Sequence, residues 1–306
     1  MRISSGDTPA AALDIGAETV RRLLSAQFPR WAELPVEPVP SDGTDNTLYR
    51  LGADMAVRLP CHPRAVGQVD KEHRWLPRLA PLLPLAIPVP LGRGVPGEGY
   101  PWPWSVYRWL EGEPATVGHV RDARQAAAAL GGFVAALQRI DPAGGPPGGL
   151  QNGFRGLPLA VRDAETRASL AALEGTLDTD AARAAWETDI RTPVWGGPPV
   201  WLHGDIHAAN LLVTHGRISA VIDFGLLGVG DPASDLTVAW TFLTAETREV
   251  FRTALSVDEA TWARGRGWAL AWGLIAHAFY RNTDNALAGI SRRAIDEVLA
   301  DHARGA

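Results

Sequence analysis

The sequence predicts an α+β chain whose β-rich first third builds a five-stranded antiparallel sheet with one long helix, followed by a mainly helical remainder. Three observations carry this. Short β-prone runs separated by Pro, Gly and Asp recur from Val36 to Trp109. A polar stretch, Glu111-Gly112-Glu113-Pro114, then reads as a flexible linker. Beyond Val117 the strand signal gives way to helical periodicity, interrupted by one apolar hairpin around residue 215.

The elements follow in order. Asp14 to Leu24 is an amphipathic helix, with Ile15, Val20, Leu23 and Leu24 apolar and Asp14 as its cap. Val36 to Val39 can only be a short or edge strand, because prolines flank and interrupt it. Thr47 to Leu51 and Met55 to Leu59 are strands around a turn at Gly52-Ala53-Asp54. A charged helix runs from Val66 to Leu79, with Val69, Trp75, Leu76 and Leu79 facing inward. After the extended apolar connector Pro81 to Pro90, Leu91 to Val95 and Trp104 to Trp109 complete the sheet. Val120 to Ile140 is a long, Ala-rich helix. Residues 141–158 form a Gly/Pro loop long enough to be functional. Helical patterns resume at Leu159 to Leu173, Thr179 to Ile190, Pro232 to Leu243, Ala245 to Leu255, Asp258 to Phe279 and Asn285 to His302. Trp240, Trp262, Trp268 and Trp272 on these helices are expected in the core, with a substrate-lining role open for one or two.

Composition excludes several classes. A net charge of −5 argues against nucleic acid as partner, since phosphate backbones need clustered cations. Cys61 is the only cysteine, so no intrachain disulfide can form. The start of the chain lacks an apolar signal core, and the run Trp268 to Tyr280 is too short for a bilayer, so a cytoplasmic protein without a membrane or obligate protein partner is expected. Neither a G-x-x-x-x-G-K-[ST] loop nor a G-x-S-x-G elbow is present.

The stretch from Val200 to Gly225 carries the chemistry. His203-Gly204-Asp205 closes an apolar run, and Asn210 follows five residues after the aspartate. Leu211 to Val213 and Ile218 to Ile222 form a hairpin that ends on Asp223-Phe224-Gly225 and draws Asn210 toward Asp223. Mg²⁺ takes hard oxygen ligands and keeps water and phosphate, so Asp223 and the Asn210 amide oxygen suit it. Asp205, a separate carboxylate, can accept the proton of an attacking hydroxyl.

The order H-G-D-I-H-x-x-N followed by D-F-G resembles the catalytic loop and metal motif of protein kinases, in the branch of aminoglycoside phosphotransferases and choline kinases. Gly204 stands where protein kinases carry arginine. The resemblance implies a bilobal protein-kinase-like fold, with a nucleotide-binding lobe over residues 1–110 and a catalytic, substrate-binding lobe over 111–306. It implies ATP and Mg²⁺, Asp205 as base, and Asn210 and Asp223 as metal ligands. It places Ser41, Gly43, Thr44 and Asn46 in a phosphate-covering loop that has one glycine rather than three. Arg58 takes the place of the phosphate-binding lysine, paired with Glu72 on the following helix. Backbone groups from Tyr107 through Trp109 to Leu110 would grip the adenine edge, with Val57 stacking on the base. His203 orients the loop and His207 is a loop histidine. Gly230-Asp231-Pro232-x-x-Asp235-Leu236 recurs in aminoglycoside phosphotransferases, where the second aspartate ties the catalytic loop down. The expected acceptor is a small-molecule hydroxyl, of an aminoglycoside-type antibiotic first and of a macrolide, sugar, choline or homoserine second. A nucleotide-binding regulatory protein is the alternative that Arg58 and the single-glycine loop suggest. Asp231, Glu246, Glu249 and Asp284 are candidate carboxylates for a cationic acceptor.

Overall fold

The computed structural model describes residues 13–40, 45–116 and 118–305. Ser41, Gly43 and Thr44 therefore lie outside the described residues. The chain divides between Glu111 and Gly112 into two compact units, and Leu82–Leu85 belong with the second.

In the first unit, helix α1 (Ala17–Gln27) starts later than expected, with Gly16 rather than Asp14 at its N-cap. The sheet comprises β1 (Val36–Pro38), β2 (Asn46–Leu51), β3 (Met55–Pro60), β4 (Pro90–Gly94) and β5 (Trp104–Arg108) in the order β1-β2-β3-β5-β4. Every pair is antiparallel. Pro38 and Pro90 both fall on edge strands, where a missing ladder donor costs least. Leu23 and Leu24 of α1 pack with Leu51, Val57, Leu59, Trp104 and Val106 in one core cluster. Each such aliphatic side chain, once fully buried, contributes roughly 1.5–3 kcal/mol. Helix α2 (Val66–Leu79) buries Val69, Trp75 and Leu76, and with them the carboxylate of Glu72.

The second unit begins with a departure from expectation. The segment read as a linker forms a short strand, β6 (Glu113–Pro114), and only Glu111 and Gly112 remain outside a strand; Gly112 adopts φ +135°, open chiefly to glycine. Helices α3 (Ala123–Gln138), α4 (Asp163–Ala172) and α5 (Thr179–Asp189) follow. Asp122 caps α3 by accepting from Gln125 N–H at 3.0 Å. Next come β7 (Val200–Leu202), β8 (Leu211–Thr214), β9 (Arg217–Val221) and β10 (Gly228–Gly230). The predicted helix at Pro232 is a 3-10 turn over Pro232–Thr237 leading into the short α6 (Val238–Thr241). Helices α7 (Ala245–Leu255), α8 (Glu259–Tyr280) and α9 (Ala286–Gly305) complete the chain. Helix α8 is apolar on most of its circumference and buried accordingly, and Leu236 sits against Gly265 where a Cβ would lie 2.6 Å away. Trp240, Trp262 and Trp268 are core residues, as expected, whereas Trp272 is only half-buried. Among the described residues no helix is long and apolar enough to cross a membrane.

Candidate active site

Five strands of the second unit assemble the central stretch. β8 and β9 form the inner hairpin, with Leu211 opposite Val221, and β6 adds to its edge. β7 and β10 pair antiparallel around it, with Leu202 opposite Gly228. Two nested ladders leave the intervening segments, 203–210 and 222–227, side by side. Ile222 N–H donates to Asn210 O at 2.9 Å, which ties the two segments together. The outer ladder was not legible in the sequence because Gly228-Val229-Gly230 carries little strand propensity.

Asp205 is held from both backbone sides. Its N–H donates to His203 Nδ1 at 3.1 Å, and its carbonyl accepts from Asn210 Nδ2 at 2.9 Å. Because Nδ1 of His203 accepts, its proton resides on Nε2, which donates to Ile222 O at 3.0 Å. Burial holds the His203 imidazole down to about 4, overriding the nearby carboxylates, so it is neutral at pH 7 and bridges the loop to the residue before Asp223. This is the orienting role expected of it.

Burial alone would raise the Asp205 carboxyl, but His207, Arg155 and His203 overbalance it and hold the group down to about 2. His207 Nε2 lies 3.6 Å from Asp205 Oδ2 and 3.3 Å from Asn210 Nδ2, with its ring against Trp272 at 5.5 Å. Trp272 thus stands beside this loop. Asp223 adopts φ +62°, a left-handed conformation uncommon outside glycine and characteristic of strained functional positions. Its carboxylate accepts from Gly225 N–H at 3.3 Å.

Asp235 ties the loop down as the resemblance implied. Its two oxygens accept from the N–H groups of His203 at 2.7 Å and Gly204 at 2.6 Å. Gly204 has φ +86°, and a Cβ there would sit 2.7 Å from Leu226 O, which explains why no arginine can occupy this position. The arginine near Asp205 comes instead from the Gly/Pro loop. Arg155 Nε donates to Gly204 O at 2.7 Å, and its Nη2 lies 3.8 Å from Asp205 Oδ1. Sequence reasoning missed this residue. The one signal was an isolated cation inside an otherwise uncharged stretch, Gly144 to Val161.

Asp231 is corrected as an acceptor-binding candidate. It is buried, pairs with Arg264 at 2.8 and 3.2 Å, and caps the following turn by accepting from Ala233 N–H. Glu246, Glu249 and Asp284 are exposed.

In the first unit, Arg58 Nη1 donates to both Glu72 oxygens, at 2.7 and 2.8 Å, and its Nη2 reaches Gln68 Oε1 at 3.3 Å. With the Asn46 amide turned so that its oxygen faces the guanidinium, Asn46 accepts from Nε at 3.3 Å and Nη2 at 2.9 Å. Tyr107 donates its hydroxyl to Glu72. Two expectations are corrected here. Val57 lies in the core cluster under α1, on the sheet face opposite Arg58, and strand alternation places Ala56 on the Arg58 face instead. Tyr107 is committed to the β3 ladder, and Trp109 N–H donates to Asp54 O at 2.7 Å, so that N–H is not open to a base as anticipated; Leu110 lies beyond both contacts.

An antiparallel sheet unit with an Arg–Glu pair, followed by a helical unit carrying the H-G-D loop and D-F-G, is the protein-kinase-like fold. Solved structures agree. A GDP complex of wild-type aminoglycoside 2'-phosphotransferase-IIIa superposes with a TM-score of 0.71 at 18% identity, covering 94% of this chain and 100% of that one. A macrolide 2'-phosphotransferase from Brachybacterium faecium, crystallised as the apoenzyme, superposes with a TM-score of 0.62 at 25% identity, covering 93% and 96%. A curated aminoglycoside 3'-phosphotransferase of Escherichia coli is 37% identical over 62 residues, 20% of this chain and only 23% of that protein's length. The profile of the phosphotransferase enzyme family matches residues 36–268, and the chain belongs to that family.

Proposed function

We propose that this chain transfers the γ-phosphoryl group of ATP, bound with Mg²⁺, to a hydroxyl of an aminoglycoside-type antibiotic, and so confers resistance. The observation that carries this reading is the placement of Asp205, Asn210 and Asp223 on adjoining segments. The acceptor hydroxyl gives its proton to the Asp205 carboxylate as its oxygen bonds to the γ-phosphorus. The bond from that phosphorus to the bridging oxygen breaks, and its electron pair leaves with ADP. A carboxylate held near 2 is ionised at every working pH but is a weak base. A loose, dissociative transition state asks little of the base, so proton transfer can be late.

The donor set fits a hard cation: a carboxylate on Asp223, and on Asn210 an amide whose nitrogen is already turned to the Asp205 carbonyl. Asn210 and Asp223 would hold Mg²⁺, which would supply charge neutralisation for the transferring phosphoryl group. Arg58 would meet donor phosphates by exchanging its contacts with Gln68 and Asn46 while Glu72 keeps it in place, and Ala56 and Leu110 would border the base.

Purified protein is to be incubated with Mg-ATP or Mg-GTP and kanamycin, erythromycin, choline or homoserine, with release of nucleoside diphosphate followed. Kanamycin-dependent ADP release is expected. Turnover on erythromycin alone would move the acceptor to a macrolide, a reading that the likeness to the macrolide enzyme favours. Nucleotide binding without turnover on any acceptor would instead support a regulatory protein. Arg58→Ala should raise the nucleotide KM about 10-fold or more, since a charge-assisted contact is worth roughly 1.5–3 kcal/mol. Unchanged KM and kcat would remove Arg58 from the donor site.

A further inference from the structure

We propose that Arg155 is a positioning residue for the transfer step, fixing the Gly204 carbonyl and standing behind the Asp205 carboxylate, so that the Gly/Pro loop is part of the catalytic apparatus. This rests on Asp205 being the base.

The loop is built into the site. Val229 N–H donates to Pro146 O at 2.8 Å, and Asp231 N–H donates to Gly156 O at 2.9 Å, so both ends are stitched to β10 and the residue after it. Gly156 and Gly230 touch so closely that a Cβ on Gly230 would lie 2.3 Å from Gly156 O. Between these anchors, buried Asn152 accepts from Gly149 N–H at 2.9 Å and donates to Arg155 O at 3.3 Å. The Arg155 side chain is thus presented by a rigid turn. It is 7% exposed, lies over the Trp268 ring at 5.3 Å, and donates from Nη1 to Gly153 O at 3.1 Å.

Stability alone does not account for a guanidinium here. A buried charge pays heavily in lost hydration, and a well-packed apolar side chain often replaces one at no loss of stability. What an apolar residue cannot do is hold the Gly204 carbonyl or set a cation beside Asp205. The contact to Gly204 O adds a grip on the loop's carbonyl to the one Asp235 makes on the N–H groups of His203 and Gly204. With both gripped, Asp205 loses its freedom to swing, and an ångström of misplacement at a reacting group costs on the order of 10²-fold in rate.

The test uses the full chain with Mg-ATP and kanamycin, and Arg155→Met, Arg155→Lys, Asp205→Asn and the Arg155→Met/Asp205→Asn pair. Arg155→Met should lower kcat by about 10- to 100-fold while the nucleotide KM stays within about twofold, because the donor grip is elsewhere. In the Asp205→Asn background the same change should cost less than about twofold, since its effect runs through the carboxylate. Arg155→Lys, which keeps the charge but not the fork, should recover part of the rate. An equal loss of kcat with and without Asp205, or a parallel rise in nucleotide KM, would leave Arg155 a structural residue. If Arg155→Met shows no cooperative melt, Arg155→Lys decides: wild-type kcat at a lowered melting temperature overturns the proposal. Full activity of Asp205→Asn sinks the base reading itself, and the proposal with it.

Discussion

Asp205→Asn should lower kcat by about 10²- to 10⁴-fold while leaving the nucleotide KM within about twofold. The amide is isosteric with the carboxylate, so the loop keeps its shape through the backbone bonds to His203 and Asn210. It loses the carboxylate proposed to take the acceptor's proton, while His207 Nε2, 3.6 Å from that carboxylate, is left in place. Steady-state kinetics with varied ATP check both numbers. A kcat within threefold of wild type would mean that another group receives the proton.

Asp235→Ala should have the largest effect on folding. Two backbone N–H groups now satisfied by one carboxylate, at 2.6 and 2.7 Å, would be left buried without partners. Each lost charge-assisted bond is worth roughly 1.5–3 kcal/mol, so a loss of about 3 kcal/mol or more is expected, with kcat falling as the loop loosens. Denaturant unfolding measures the first and turnover the second.

The same carboxyl sets a pH signature. Burial raises it to about 6, against the pull of the two N–H groups and Arg155. Its folded value lies above the unfolded one, near ~4, so its favourable contribution is complete below that value and is lost as pH rises through about 6. Asp235→Asn should therefore flatten the change in melting temperature between about pH 4 and 7 relative to wild type. Activity moves the opposite way, because a protonated Asp235 accepts more weakly from the loop and kcat should fall below about pH 6. Parallel acid limbs of stability and kcat in wild type would refute this assignment.

The parts of the site legible in the sequence were those fixed by local order. Asp205, Asn210 and Asp223 lie within nineteen residues and are joined by a hairpin whose turn, His215-Gly216, takes positive φ at both positions. The Arg58–Glu72 pair was readable because a strand and the next helix bring them together over fourteen residues. Arg155 was not, since it meets Gly204 across forty-nine residues through a loop without periodicity. Val57 was misjudged although the pattern was available: in M-A-V-R the residue next to Arg58 must point the other way. Strand β6 was hidden by its own composition, for Glu113-Pro114 pairs with β8 only because the hairpin offers it an edge.

The nested ladders also govern how this chain can change. Since Leu211 is already locked opposite Val221 and Leu202 opposite Gly228, the count of residues at the His215-Gly216 tip does not set where Asp205 and Asp223 lie. The tip can be lengthened, by evolution or by an engineer inserting a tag, at the cost of loop-closure entropy, about 0.6 kcal/mol per doubling, and of refitting Arg121, whose N–H donates to Gly216 O at 3.0 Å. Removing a single residue from within β8 is another matter. It turns the part of the strand on one side of the deletion to the opposite face and, where that part includes Leu211, carries Asn210 out of register with Asp223. Length variation among sequences sharing this arrangement should therefore collect at the tip and be absent from the strands.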